Sequence, residues 1–585
     1  MTEQERVEVL LGRGYLPKEL PPPFQSHTFS GKAVELKAAF SAYLAGLSKK
    51  KRDAYPLPSI SVHFDMARRG HSRRTLSIPN PVNQFFLTEE ICRNWDVISD
   101  KIQQSPYSLT KCNLSDHGRA IGMPPVSLLA EKRIIAYAGQ GAILQTDVLS
   151  FYHSIYTHAV PWAIHGKTVA KANRNSQDPI MYGNRIDFLL RSCQDGQTIG
   201  IPVGPDTSRI ISELMLCAVE DRLKANSNAK IVNGFRYVDD FFLCFDSLAD
   251  AEAALAILRE ACLYFDLQLN AAKTSTIVAT AFNESTWASN LASVTIPSGI
   301  KAQRRSLVRF FSEVIDLTKA LPDESIASFA VRKSAKVKVH KENWDIYLSF
   351  LLRMGQEHGN CLDSIVKIIC TYVAAGYPVL SSVHAFIDRL VIEHALYNHH
   401  FEVSWLLWMA ISLNVRLTAN ASKLIFRIEN DICAILALHL RQRRLAGSSR
   451  EVSSWLGSVS SQDLRGSHWL LIYEAAFRDS WAIAGAKAAV DGDPFFSAMR
   501  DQGVSFYDTV ARNRPVNIPN IEFYLLQELG IRKRGLLPGN IWLQRDLPAT
   551  EDYEELGADY DEEDDDLSYM FGGVGSFNDD DDIDE

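Results

Sequence analysis

The 585-residue chain has no apolar run long enough to cross a membrane, for which about 20 consecutive residues are needed. Its most apolar window, VSWLLWMAISLNV from Val403, is too short for that and predicts a buried helix. The opening residues, MTEQERVEVL, carry acids and no continuous apolar segment, so they are not read as a secretory signal. The nine cysteines are scattered, with no CxxC pair and no Cys/His set at zinc spacing. They are expected as reduced thiols that pack like small apolar residues in a cytoplasmic protein. Residues 551–585 have no Lys or Arg and hold 17 acids. Setting those 17 aside turns the net charge of −9 into about +8 for the rest of the chain. A basic body with an acidic tail suits a polyanionic partner, and a disordered, solubilising tail is the plainer alternative.

What is present divides the chain by pattern. Residues 1–50 mix helical periodicity with a Pro-rich break, LPKELPPPF. Residues 51–300 open on a basic stretch and then alternate strand-like runs (TLSIPNP, AILQTDVLS, FRYVDDFFLCF, TSTIVAT) with helical ones such as DSLADAEAALAILREACLYFDL. That alternation predicts an α+β domain. Residues 301–535 read as amphipathic helices separated by short breaks: NWDIYLSFLLRMG, SIVKIICTYVAAG, VHAFIDRLVIEHALYNHH and ASKLIFRIENDICAILALHLRQRR. A continuous, repeat-like helical array is expected there, with many apolar faces, among them Trp405 and Trp408, and with some of that apolar surface left for a homo-oligomer interface. Residues 550–585 are low-complexity and acidic, a composition that predicts disorder.

The strand-like run NGFRYVDDFFLCF sets two acids, Asp239 and Asp240, among aromatic and β-branched residues. Charge in apolar surroundings is costly unless it is paired or holds a metal. A two-residue turn between two strands would carry the acids at a hairpin tip. A third acid, Asp147, ends the apolar run AILQT. Three carboxylates near one point suit two Mg²⁺ ions, which take oxygen ligands, and such a pair serves phosphoryl or nucleotidyl displacement. A lone Asp pair is more often simply a turn; the aromatic flanks and the third acid tip the balance towards a metal site.

YVDD in such a hairpin is similar to the signature of reverse transcriptases. Four further blocks resemble that family's in the same order: RRTLSIPNPVNQFFLTEEI (73–91), AILQTDVLSFYHSI (142–155), GIPVGPDTSRIISEL (200–214) and LQLNAAKTSTI (267–277). The segments SFYHSIYTHAVPWAIHGK (150–167) and GPDTSR (204–209) most resemble the bacterial abortive-infection and defence-associated reverse transcriptases. The resemblance implies a fingers-palm domain over 51–300, a helical array in place of a thumb, and an RNA-directed DNA polymerase acting in antiphage defence. Synthesis would be RNA-templated or untemplated. The implied partners are deoxynucleoside triphosphates and RNA or single-stranded DNA, including a non-coding RNA, with no membrane.

By the same resemblance Asp147, Asp239 and Asp240 bind two Mg²⁺, with Mn²⁺ as a substitute, and Lys273 assists the leaving pyrophosphate. Arg74, and more loosely Arg69, would contact the triphosphate, since guanidinium groups bind phosphate bidentately. Tyr152 would exclude a 2′-hydroxyl, and Gly204 and Pro205 would line the nucleotide site. Val203 and Ser208-Arg209 depart from the usual Gln and Ser-Pro of the family and put its standard template handling in doubt. Related enzymes without an ordinary thumb can start DNA on a protein hydroxyl; Tyr507 is the first candidate here, ahead of Tyr553, Tyr560 and Tyr569. RLVIEH (389–394) fits a short nuclease spacing, and His394, His399 and His400 cluster without convincing metal spacing. Two other classes compete with a polymerase. One is a nucleic-acid-binding assembly protein with a non-productive polymerase domain. The other is a maturase-like intron-encoded enzyme, disfavoured by the lack of a Cys-rich endonuclease segment and of a basic C-terminus.

Overall fold

A computed structural model describes residues 1–512, apart from 71, 116, 126, 283–285, 323, 448–454 and 479, together with 516 and 518. The acidic tail and Tyr553, Tyr560 and Tyr569 lie outside the described residues. The chain folds as a mixed α/β molecule with two small antiparallel sheets among many helices.

The first sheet is the hairpin of β1 (Val62–Ala67) and β2 (Arg73–Ile78), in register from Val62 opposite Ile78 to Ala67 opposite Arg73. The second has four strands, β3 (Ala142–Thr146), β4 (Asn233–Tyr237), β5 (Asp240–Phe245) and β6 (Ser275–Val278), in the order β4-β5-β3-β6. The two central strands carry the most continuous apolar runs, AIL and FFLCF, because both of their faces are covered. The helix Leu248–Tyr264 packs across β3, β5 and β6. It starts where the Ser247 hydroxyl accepts from the Asp250 N–H, an N-cap. Its buried face is Ala251, Ala254, Leu258, Ala261 and Cys262, at helical spacing and small enough to lie close to the sheet. The helix Asp206–Ala225 packs beside it.

The helical half is built around His400–Leu413, whose residues from Phe401 to Ile411 are all buried. A helix apolar on every face belongs at the centre of a core. The helices Leu362–Ala374, Ser381–Leu396 and Asp431–Gln442 surround it. Trp405 and Trp408 are therefore 1% and 2% exposed, which withdraws both from the expected oligomer interface. The window from Ala421 to Arg444, read as one helix, is two: Ala419–Ile425 and Asp431–Gln442. Asn430 breaks it by capping the second, its side chain accepting from the N–H groups of Ile432 and Cys433. The helices of this half run from 6 to 21 residues, so a repeat does not emerge from their lengths.

This half is seated on the β1–β2 hairpin and the N-terminal segment. Helix His400–Leu413 packs on β1, Asn430 Nδ2 donates to the His63 carbonyl at 2.7 Å, and Asn80 Nδ2 to that of Leu464 at 2.7 Å. Trp405 Nε1 donates to the Glu19 carbonyl at 2.9 Å. Residues 1–50 are not a separate unit: Phe24 bridges to Tyr507, and Phe40 packs edge-on against Phe495 with ring centres 4.9 Å apart. All nine cysteines are buried free thiols. Among the described residues no helix is long and apolar enough to cross a membrane.

Candidate active site

The YVDD hairpin forms as the flanking residues predict, but its turn lies one residue earlier than the two acids. Tyr237 pairs with Asp240, so Val238 and Asp239 make the turn and Asp240 is already the first residue of β5. Val238 takes a φ of +52°, a region that a β-branched residue enters only under constraint. The constraint is visible. The Val238 N–H donates to Thr110 Oγ1 at 3.1 Å, and the Val238 carbonyl accepts from Arg236 Nη1 at 2.6 Å.

Arg236 is fully buried beneath that turn. Its guanidinium binds both oxygens of Glu213, at 2.6 and 3.1 Å, and a carboxylate oxygen of Glu220. Thr110 and Ser105 complete the pairing of the two glutamates. Burial disfavours the charge on Arg236, but the two carboxylates more than reverse this and raise its pKa. Arg236 belongs to none of the motifs in the sequence. Its signal was a lone cation inside an apolar strand, in GFRYV, with Glu213 and Glu220 seven residues apart and so two turns along one helix face.

Asp147 follows the last residue of β3. Thr146 stands opposite Phe241, so one further antiparallel step sets Asp147 against Asp240. Asp147 is 5% exposed. Its Oδ2 accepts from Lys273 Nζ at 2.8 Å, while Oδ1 is buried with no hydrogen-bond partner. Asp239 and Asp240 are half-buried. Burial, and then the charge of Asp147, pushes Asp239 up to about 6. Burial, and then the charge of Asp239, also raises Asp240 well above the ordinary carboxylate value. Lys273 draws both down again, as does Arg74 on Asp239 and Arg133 on Asp240. The three acids thus feel one another as like charges. An orphaned buried oxygen and an all-carboxylate donor set fit Mg²⁺, although the three side chains do not bring their donor atoms within 4.8 Å of one another.

The remaining candidates divide. Arg74, on β2, is close enough to Asp239 to lower its pKa and to that of His153 to do the same. Tyr152, on the short helix Phe151–Ser154, accepts at its hydroxyl from Ser212 Oγ at 3.1 Å. Burial pushes its pKa up to about 12, with the Asp239 charge adding to the rise. Lys273, Arg74 and Tyr152 therefore gather around the acids.

Arg69, Gly204 and Pro205 have other surroundings. Arg69 sits in the β1–β2 turn, in a crevice lined by Thr318, Glu324, His358 and Asn360 of the helical half. Gly204 has a φ of +133°, and a Cβ there would come within 2.9 Å of Pro17 and 3.3 Å of the Ser77 carbonyl. Its carbonyl accepts from Arg119 Nη2 at 2.6 Å. Pro205 is buried and precedes helix Asp206–Ala225. Next to it Asp206 takes Arg119 Nε at 3.0 Å and the Ile121 N–H at 3.0 Å. The Gly and Pro at this point shape a chain crossing.

Tyr507 corrects the expectation of a cleft-facing hydroxyl. It is 1% exposed, its ring packs on Phe24 at 4.9 Å, and its hydroxyl meets His439 Nδ1 at 2.7 Å. Burial raises its pKa well above the ordinary value. The flanking residues are apolar because the segment closes the junction between the N-terminal segment and the helical half.

No family model and no curated protein matches the chain. Among solved structures, apo telomerase from Candida tropicalis aligns at 12% identity with a TM-score of 0.29, over 74% of this chain and 73% of that one; an overlap this loose transfers neither fold nor function.

Proposed function

We propose that the chain is a nucleotidyltransferase of the reverse-transcriptase type that makes DNA in antiphage defence. The observation that carries this reading is the acid cluster: Asp147 opposite Asp240 on neighbouring strands, Asp239 in the adjoining turn, and an unpartnered oxygen on Asp147. Two Mg²⁺ ions held by these carboxylates would stabilise the entering and leaving oxygens of a nucleotidyl displacement. Arg74, whose charge acts on Asp239, would bind phosphate oxygens beside the acids, and its guanidinium keeps its charge at any working pH. Tyr152 would present its ring edge to the sugar, with its hydroxyl held by Ser212. Lys273, paired to Asp147, would be released to meet a developing pyrophosphate charge. The defence role follows from the sequence resemblance.

The test is incorporation of labelled deoxynucleotides by the purified chain and by its Asp239→Asn/Asp240→Asn variant, with and without Mg²⁺. The reading expects metal-dependent incorporation by the first alone. Equal incorporation by both removes it. Nucleic acid that copurifies with a chain inert under every metal and template tried would favour the assembly-protein reading. Phage plating on cells carrying either form tests the defence role, and equal plating rejects it.

A further inference from the structure

Among the described residues, one set of three potential ligand side chains has donor atoms within 4.8 Å of one another: His394, His399 and Glu402. It lies at the turn between helices Ser381–Leu396 and His400–Leu413. Asn398, at a φ of +53°, reverses the chain there, and the His399 N–H closes the turn on the His394 carbonyl at 3.1 Å. The two imidazoles then meet Nδ1 to Nδ1 at 2.9 Å, and His399 Nδ1 lies 3.7 Å from Glu402 Oε1. Glu402 is 3% exposed, and each of its oxygens takes one hydrogen bond from Arg73, at 2.8 and 2.7 Å. A carboxylate offers about four lone-pair sites, so both oxygens keep capacity.

We propose that His394, His399 and Glu402 bind a divalent transition metal of the zinc class, and that this ion fixes the carboxylate through which Arg73 ties the β1–β2 hairpin to the helical half. Two imidazole nitrogens and one carboxylate oxygen form a donor set suited to zinc rather than magnesium. Tetrahedral zinc with bonds of about 2.0–2.1 Å sets its donors about 3.3 Å apart. The nitrogens at 2.9 Å would open by about 0.4 Å and the oxygen at 3.7 Å would close by about as much. Small side-chain rotations achieve both. Arg73 would orient the ligating carboxylate from outside, as hydrogen-bonding partners of metal ligands do. It also binds Asp65 on β1, whose N–H donates to His400 Nδ1 at 3.2 Å. Glu402 and Asp65 together outweigh Arg73 by one negative charge, which favours a cation. The His399 side chain is 28% exposed, which gives an ion a way in. Arg73 adjoins Arg74, so this tie would also steady the strand that reaches the acid cluster. The site stands independently of the polymerase reading.

The experiment strips the full-length chain with chelator, reloads it with zinc chloride, and counts bound zinc after gel filtration and by competition with a chromophoric chelator. One zinc per chain is expected. His394→Ala and His399→Ala should each weaken it by about 100-fold or more, beyond the range seen for outer partners of metal ligands. Asp239→Asn/Asp240→Asn should retain it. Sub-stoichiometric zinc in the wild type, unchanged affinity in His399→Ala, or loss of zinc in the Asp variant overturns the proposal. Should the alanine variants misfold, cobalt(II) loaded into the wild-type chain decides the matter. Intense visible bands of tetrahedral coordination support the site, and their absence rejects it.

Discussion

Two charge clusters flank the turn between β4 and β5, and they are built on opposite terms. Beneath the turn, Arg236 lies between Glu213 and Glu220, with Ser105 and Thr110 taking up remaining oxygens. At the turn, Asp147, Asp239 and Asp240 raise one another's charge cost, while Lys273 bonds to Asp147 and Arg74 and Arg133 act on Asp239 and Asp240. The first set is compensated, and it holds Val238 in a conformation that its side chain resists. The second is under-compensated, which is what a site that awaits cations requires. The buried set fixes where the acids of the turn stand.

The largest expected effect separates the two by function. Asp239→Asn/Asp240→Asn should abolish metal-dependent incorporation while thermal unfolding stays at or above the wild-type temperature, because the change relieves repulsion. A lower unfolding temperature would mean that the acids hold the fold together and would erase the contrast. Next comes the compensated set. Arg236→Met leaves Glu213 and Glu220 buried without their cation, at a cost of roughly 3–5 kcal/mol. Denaturant titration should show it, and a loss below about 1 kcal/mol would show that water or protonation compensates instead.

Smaller effects sharpen the comparison. Tyr152→Ala should raise ribonucleotide use relative to deoxynucleotide use, read as the ratio of kcat/KM values. An unchanged ratio returns Tyr152 to packing. The smallest effect concerns His439, a neutral group in a compensated junction. Burial, helped by Arg443 and Arg478 and opposed by Asp508, pulls it down to about 4. In the unfolded chain an ordinary His takes its proton near 6.5. Below that value the unfolded state binds more protons than the folded one, so stability falls as pH drops from about 6.5 to 4. His439→Gln should flatten that part of the stability profile, and an equally steep fall would place the acid sensitivity elsewhere.

Much of the four-stranded sheet and its helix was legible because their signals are local. Apolar runs bounded by turns announced β3, β4, β5 and β6, and Ser247 marked the start of its helix. The turn shifted by one residue because Tyr237 pairs with Asp240, and nothing in the sequence says that Thr110 and Arg236 will hold Val238 at positive φ. Arg69 and Arg74 look alike in the sequence. They part because Arg74 lies in β2 while Arg69 lies in the hairpin turn, which meets the helical half. Gly204 and Pro205 sit in a motif that suggests ligand contact, yet the backbone approach they permit is to Pro17 and Ser77. Tyr507 beside Asp508 gave no sign of Phe24, which lies hundreds of residues away.

The sequence by itself determined most of the strands and helices and which side chains are candidates for the chemistry, because periodicity, capping and residue type act over a few residues. Only the tertiary structure decided which charges are compensated. It brought Glu213 and Glu220 under Arg236, set Asp147 against Asp240 with Lys273 at its side, buried Tyr507 and the tryptophans of the central helix, and placed His394 and His399 against Glu402. Electrostatic compensation depends on distance and burial, and both are set by packing between parts of the chain that no local pattern relates.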